Sequence, residues 1–232
     1  MSNGKVAIVT GASSGVGRAS AIALAQAGWS VALLARRADL LEETKALCVD
    51  PSRVLLVSGD VAREEDVKRL FQATIDAFGR LDMLFNNAGR GHPQVPIEEL
   101  SLDAFQQVIN VNLIGTFLCT REAVRIFKSQ TPKGGRIINN GSISAYTPRP
   151  FSYAYTASKH AVLGLTKTTL LDGRAHNITC TQTVMSPPER GALQPDGSYS
   201  REATFDAKHV GESIVHIAAL PLDVTVLTFN IM

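Results

Sequence analysis

Lys5-Val6-Ala7-Ile8-Val9-Thr10, closed by Gly11-Ala12-Ser13-Ser14-Gly15-Val16-Gly17, is the stretch whose reading decides the fold. Its first six residues are short, mostly apolar and rich in β-branched side chains, which predicts a strand buried on both faces. A helical pattern follows from Arg18 to Ala27 and is stopped by Gly28. The glycines between them are spaced G-x-x-x-G-x-G, not G-x-G-x-x-G. At a strand-to-helix turn, glycine lets the backbone bend tightly and approach a pyrophosphate, which then meets free N–H groups at the helix start. Ser13 and Ser14 add hydroxyl donors. A tight turn without a ligand is the plainer reading, and the placement between strand and helix weighs against it.

The same alternation continues along the chain. Strands are predicted at Ser30–Ala35, Arg53–Ser58, Leu81–Asn86, Arg136–Asn140, Asn177–Gln182 and Val224–Phe229. Helices are predicted at about Asp39–Cys48, Arg63–Phe78, Leu102–Ser129, Tyr153–Leu171 and Ala207–Ala219. Continuously apolar strands alternating with helices predict an α/β protein. The expected architecture is a single-domain, Rossmann-type doubly wound parallel sheet of about seven strands over residues 1–232, with helices on both faces. Ligands then belong at the carboxyl ends of the strands.

Composition narrows the partners. Hydrophobic residues make up 45% and charged residues 19%, with a net charge of +2 and no run of like charges. That balance predicts a protein with a packed core and neither a nucleic-acid nor a membrane surface. Cys48, Cys119 and Cys180 are far apart and odd in number, so they read as small buried hydrophobes in a reducing compartment. His92, His160, His176, His209 and His216 form no ligand cluster, and no metal is expected. No stretch reaches the roughly 18 apolar residues of a membrane span. The amino terminus has no signal pattern, so the expected location is cytoplasmic.

The chemistry is carried by Gly141-Ser142-Ile143-Ser144, a Pro-rich bend, and Tyr155-Thr156-Ala157-Ser158-Lys159. Tyr155 and Lys159 stand four residues apart, which places both side chains on one helical face. An ammonium beside a phenol favours the phenolate, and a phenol so tuned exchanges a proton with an alcohol or carbonyl. Ser142 ends an apolar run and is positioned to hydrogen-bond the same substrate oxygen. Tyr153 and Ser144 are the nearest rivals, but Tyr153 has Ala157, not a lysine, four residues on. The second strand runs into Arg36-Arg37, with the first acid at Asp39. An acid at the strand end holds the 2′-hydroxyl of NAD, whereas two guanidiniums suit the 2′-phosphate of NADP. NADP (NADPH) is therefore expected, with NAD the lesser alternative.

Thr10-Gly11-x-x-x-Gly15-x-Gly17, Asp60-Val61, Asn86-Asn87-Ala88-Gly89, Asn112, Ser142 and Tyr155-x-x-x-Lys159 occur in order at compatible spacing. Together they resemble the classical short-chain dehydrogenase/reductase family from about Lys5 to Gln182. The resemblance implies that Gly11, Ser13, Ser14, Gly15, Val16 and Gly17 cradle the pyrophosphate, and that Asp60 and Val61 contact the adenine. It implies further that Asn87, Ala88 and Gly89 line the cofactor. The catalytic set would be Asn112, Ser142, Tyr155 and Lys159. Tyr155 exchanges the proton, Ser142 steadies the substrate oxygen, and Lys159 binds the nicotinamide ribose beside Tyr155. Asn112 holds a water that links the lysine to solvent. The implied reaction interconverts a small-molecule carbonyl and an alcohol by hydride transfer, and a catalytically silent dinucleotide-binding regulator is the alternative. Pairing through Leu102–Ser129 and Tyr153–Leu171 implies a homodimer or homotetramer.

The pattern departs after the sixth strand. The family has Pro-Gly and then a Thr that touches the nicotinamide, whereas this chain reads Gln182-Thr183-Val184-Met185-Ser186-Pro187-Pro188. The segment is about ten residues short on the family's loop lengths. Residues 183–206 are therefore expected to be an atypical or incomplete substrate loop. The expectation is a break after Gln182, where a closing lid belongs, with a true deletion as the alternative. His92, after the fourth strand, reads as a surface loop residue near the pocket.

Overall fold

The computed structural model describes residues 4–91, 93–185 and 205–231. Its strands are β1 (Val6–Thr10), β2 (Ser30–Ala35), β3 (Val54–Ser58), β4 (Met83–Asn86), β5 (Gly135–Asn140), β6 (Ile178–Met185) and β7 (Thr228–Ile231). Its helices are α1 (Gly15–Gln26), α2 (Ala38–Ala46), α3 (Glu64–Phe78), α4 (Leu102–Ile109), α5 (Gly115–Ser129), α6 (Tyr153–Gly173) and α7 (Ala207–Ala219). The strands form one seven-stranded sheet in the order β3-β2-β1-β4-β5-β6-β7. Every neighbouring pair is parallel. The chain thus winds outward from β1 to β3, returns to β4 and winds the other way, which makes the β1/β4 boundary the switch point.

Alternation along each strand divides the core in two. Ala7 and Val9 of β1 pack with Ala21 and Leu24 of α1 and Ile214 and Ile217 of α7. Val6 and Ile8 face the other way, toward Leu70 and Phe71 of α3, Phe127 of α5 and Leu170 of α6. Burial on both faces explains why these strands are apolar throughout. Among the described residues, no helix is long and apolar enough to cross a membrane.

Three expectations are corrected. First, the run expected as one helix from Leu102 to Ser129 is α4, a π-helical turn at Asn110–Ile114, and α5. Second, β6 does not stop at Gln182 but continues to Met185. Gln182 and Thr183 pair with Asn139 and Asn140 on one side and with Thr228 and Phe229 on the other. An inner strand held from both sides passes through this point without the expected break. Third, the last strand begins at Thr228, not Val224. Val224 closes a turn on Pro221, and its carbonyl accepts from Arg136 Nη2 at 3.1 Å, so it is taken before the sheet edge begins. His92 and residues 186–204, including Pro187, Pro188, Arg190, Arg201 and Glu202, lie outside the described residues.

All three cysteines are free and buried. Burial pushes the thiols of Cys119 and Cys180 up to about 12 and raises that of Cys48. The native protein is expected to resist labelling by a thiol-reactive disulfide at pH 8, and the same protein in denaturant should titrate three thiols. Absorbance of the released thiolate reports both numbers.

Candidate active site

Because every strand points the same way, the carboxyl ends of β1, β4 and β5 lie side by side. The turn after β1 is closed by Gly11, whose φ of +67° belongs to the left-handed region. A Cβ on Gly11 would stand 2.8 Å from Ala88 Cα. One on Gly17 would collide with the Gly11 carbonyl and stand 2.5 Å from Asn87 Nδ2. The glycines therefore let α1, its entering turn and the end of β4 touch. Ser14 precedes α1 without capping it through its side chain, so the first N–H groups of the helix have no side-chain partner from the cap.

Side chains of α1 and α2 brace this turn. Arg18 donates to the carbonyls of Ser13 and Leu40 at 2.8 and 3.3 Å and pairs with Glu43 at 2.9 Å. Thr44 Oγ1 donates to the Ala12 carbonyl at 3.0 Å. Arg37, just beyond β2, reaches back so that Nη2 donates to Ser13 Oγ at 3.1 Å and Ser14 Oγ at 3.2 Å. Arg36 is exposed beside it.

The turn after β3 is set by Asp66 of α3. Its Oδ2 accepts the Asp60 N–H at 2.9 Å, and its Oδ1 accepts from Arg69 at 2.8 Å. Asp60 Oδ1 in turn accepts the Ala62 N–H at 3.0 Å, and Val61 is buried against Gly115. The Asp60 N–H chiefly, with Arg69, holds the Asp66 carboxyl below the usual range against the opposite push of burial.

A hydrogen-bonded path joins the glycine turn to the candidate catalytic residues. Thr10 Oγ1 accepts the N–H groups of Asn87 and Ala88, each at 3.0 Å. Asn87 Nδ2 donates to the carbonyls of Thr10 at 2.9 Å and Gly11 at 3.3 Å. Asn87 Oδ1 accepts from Asn140 Nδ2 at 2.9 Å, and the Asn140 carbonyl accepts from Lys159 Nζ at 2.6 Å. Lys159 is only 5% exposed, and its ammonium stands 5.4 Å from the centre of the Tyr155 ring. Two residues past Asn140, Ser142 is buried and its Oγ accepts the Ser144 N–H at 3.1 Å, capping a short 3-10 turn. That leaves the hydroxyl proton of Ser142 to be donated. Gly141 permits this approach, since a Cβ there would stand 2.5 Å from both the Thr183 carbonyl and Gln182 Nε2.

Asn112 sits buried in the π-helical turn. Its Oδ1 accepts the Arg90 N–H at 2.8 Å, and its Nδ2 donates to the Arg90 carbonyl and to Ser158 Oγ, both at 3.1 Å. Ser158 Oγ donates to the Tyr155 carbonyl at 2.7 Å. Asn112 thus ties the loop after Gly89 to the first turn of α6. The residues picked out in the sequence lie along the carboxyl edge of the sheet in three groups: Thr10 and Asn140 join the glycine turn to Lys159, Ser158 joins Asn112 to α6, and Arg18, Thr44 and Asp66 brace the turns after β1 and β3. Sequence reading passed over these as site residues. Thr10 and Asn140 carried a signal, being polar at the ends of apolar strands. Ser158 and Asp66, on helices, carried none.

A glycine turn at a helix start and a Tyr–Lys pair thus share the carboxyl edge of one parallel sheet. The family model for short chain dehydrogenases matches residues 5–188. A short chain dehydrogenase/reductase of Aspergillus oryzae is 35% identical over 93% of this chain and 88% of its own. A glucose 1-dehydrogenase of Gluconobacter oxydans is 39% identical over 93% and 85%. Among solved structures, a 3-ketoacyl-(acyl-carrier-protein) reductase from Brucella melitensis complexed with NADH superimposes with a TM-score of 0.85 at 25% identity, over 98% of this chain and 96% of that one. An alcohol dehydrogenase from Thermococcus sibiricus complexed with 5-hydroxy-NADP gives 0.85 at 26%, over 98% and 95%. The chain belongs to the short-chain dehydrogenase/reductase family, oxidoreductases of CH–OH and C=O groups that use a nicotinamide dinucleotide.

Asp66 yields a test of the turn after β3. A depressed carboxyl stabilises the fold above the unfolded value near 3.9, and this contribution disappears as pH falls through the folded value. Asp66→Asn is expected to cost about 1–3 kcal/mol at pH 7, and its deficit against the native chain should shrink below about pH 4. Thermal unfolding of both proteins from pH 3 to 8 checks the sign.

Proposed function

We propose that this protein is an NADP-dependent oxidoreductase that interconverts a ketone or aldehyde with its alcohol, with Tyr155 as general acid and base. The observation that carries the reading is the unbroken hydrogen-bond path from the Gly11 turn to Lys159, with the Tyr155 ring beside that ammonium. The residues present fit the dinucleotide. Gly11 and Gly17 leave a cradle that a Cβ would fill, and the N–H groups at the start of α1 have no side-chain cap. Gly11, Ser13, Ser14, Gly15, Val16 and Gly17 would hold its pyrophosphate, Asp60 and Val61 its adenine, and Asn87, Ala88 and Gly89 its nicotinamide half. Solved neighbours carry NADH or an NADP analogue, so the choice between them rests on the residues after β2. Arg37 over the two serines, with Arg36 exposed beside it, supports a 2′-phosphate.

Bound in this site, the nicotinamide supplies or accepts the hydride. The Tyr155 phenol gives its proton to the substrate oxygen in reduction and takes it back in oxidation. Ser142 Oγ, accepting from Ser144, donates its hydrogen to the same oxygen as charge develops there. Lys159 has spent one of its three N–H bonds on Asn140, and its charge stabilises the phenolate that Tyr155 becomes. Asn112 keeps one Oδ1 lone pair uncommitted, where a water can lead protons toward solvent.

A homodimer or homotetramer is part of the proposal. The outer face of α5 and α6 forms a groove lined by Phe117, Val124 and Leu165 between Arg121 and Asp172. Phe117 is 42% and Leu171 60% exposed, an apolar surface that a second copy would cover.

Tyr155→Phe is expected to lower kcat by about 10²–10⁴-fold with NADPH still bound. NADPH absorbance against a panel of ketones, with fluorescence titration of the cofactor, checks both parts. Binding without turnover in the native chain would instead support the silent regulator. Arg37→Ala should raise the KM for NADPH about tenfold or more and leave that for NADH nearly unchanged. Equal effects on the two cofactors would remove the case for the 2′-phosphate.

A further inference from the structure

We propose that Asn140 is a positioning residue that couples the dinucleotide-binding turn to the Lys159 ammonium; this rests on the reading of that site given above. Lys159 is buried, and a buried ammonium needs an acceptor to hold it. The acceptor here is a main-chain carbonyl, that of Asn140, at 2.6 Å. That peptide is clamped from two sides. On the β6 side, the Gly141 N–H donates to the Thr183 carbonyl at 2.8 Å. On the β4 side, the clamp is the Asn140 side chain itself, whose Nδ2 donates to Asn87 Oδ1 at 2.9 Å.

Asn87 is in turn bonded to the Thr10 and Gly11 carbonyls, so its carboxamide responds to the turn that a pyrophosphate would close upon. The strand itself does not call for an amide at this place. Ile138, two residues earlier and on the same side of β5, is apolar, and an apolar residue at the strand end would satisfy the ladder equally well. What asparagine adds is one donor aimed sideways at the neighbouring strand. With it, ordering of the glycine turn and orientation of the ammonium become a single event. Without it, the Asn140 carbonyl is held from β6 alone, and Asn87 Oδ1 loses its partner.

The test is a double-mutant cycle on NADPH binding, read by fluorescence titration so that it does not depend on turnover. Asn140→Leu should weaken NADPH about fivefold in the native background and less than about twofold in a Lys159→Met background, because its effect passes through the lysine. The same factor in both backgrounds overturns the proposal. In the native background, Asn140→Leu should also lower kcat by about tenfold at unchanged substrate KM. An unmoved kcat, or a loss of kcat matched by a rise in substrate KM, would likewise overturn it. If Asn140→Leu lacks a cooperative thermal transition, Asn140→Ser, too short to reach Asn87, takes its place in the same cycle. A native chain that binds no NADPH sinks the NADP reading, and the coupling with it; independence in the cycle sinks the coupling alone.

Discussion

A parallel sheet sends every carboxyl end to the same edge, and the site depends on that constraint before it depends on any single residue. Strands that leave in one direction deliver their following turns to a common rim, where unpaired carbonyls and N–H groups have to be satisfied by something other than the ladder. The order β1-β4-β5 brings the turns after Thr10, Asn86 and Asn140 together, although about 75 and then 55 residues of chain separate them. Thr10, Asn87 and Asn140 use short polar side chains to close that rim. Lys159 enters it from α6 as the one ammonium held by the path.

The rim is built from carboxamides and hydroxyls, while the ion pairs lie elsewhere. Lys68 with Glu64 and Glu65, and Arg125 with Glu122, decorate helix surfaces where an exposed charge pair contributes about 1 kcal/mol or less. At the rim, neutral amides hold position without adding charge beside Lys159, and each can donate and accept at once. Two charged groups are exceptions: Arg18, paired with Glu43 beside the glycine turn, and Asp66, beside the turn after β3. Asp66 is a buried carboxylate satisfied by a backbone N–H and an arginine.

The opposite edge of the sheet shows what happens when a charge is buried for architecture. Arg136, near the start of β5, is almost fully buried, and its Nη2 gathers the carbonyls of Leu220, Pro221 and Val224 at 2.9–3.2 Å. Among the described residues its Nε and Nη1 find no partner, and burial lowers its proton affinity. Those three carbonyl bonds tie down the connection from α7 and delay the start of β7 to Thr228. A β-branched run such as Val224-Thr225-Val226 is strand-like by composition, but its backbone is already engaged.

How much was legible follows the range of each interaction. Local patterns determined the alternation of strands and helices, the glycine turn and the helical spacing of Tyr155 and Lys159, because each depends on backbone geometry within a few residues. The bounds of α7 were readable to the residue, while its cap, Asp206 accepting the Lys208 N–H, came from the structure. Only the tertiary structure decided which residues join those motifs. That the Lys159 partner is the Asn140 carbonyl, that Asn112 serves Arg90 and Ser158, and that β6 runs on past Gln182 all depend on pairings across 19 to 46 residues. A hydrogen bond between distant segments leaves no periodicity in the chain, since its partner is chosen by the sheet order and not by the neighbours in sequence.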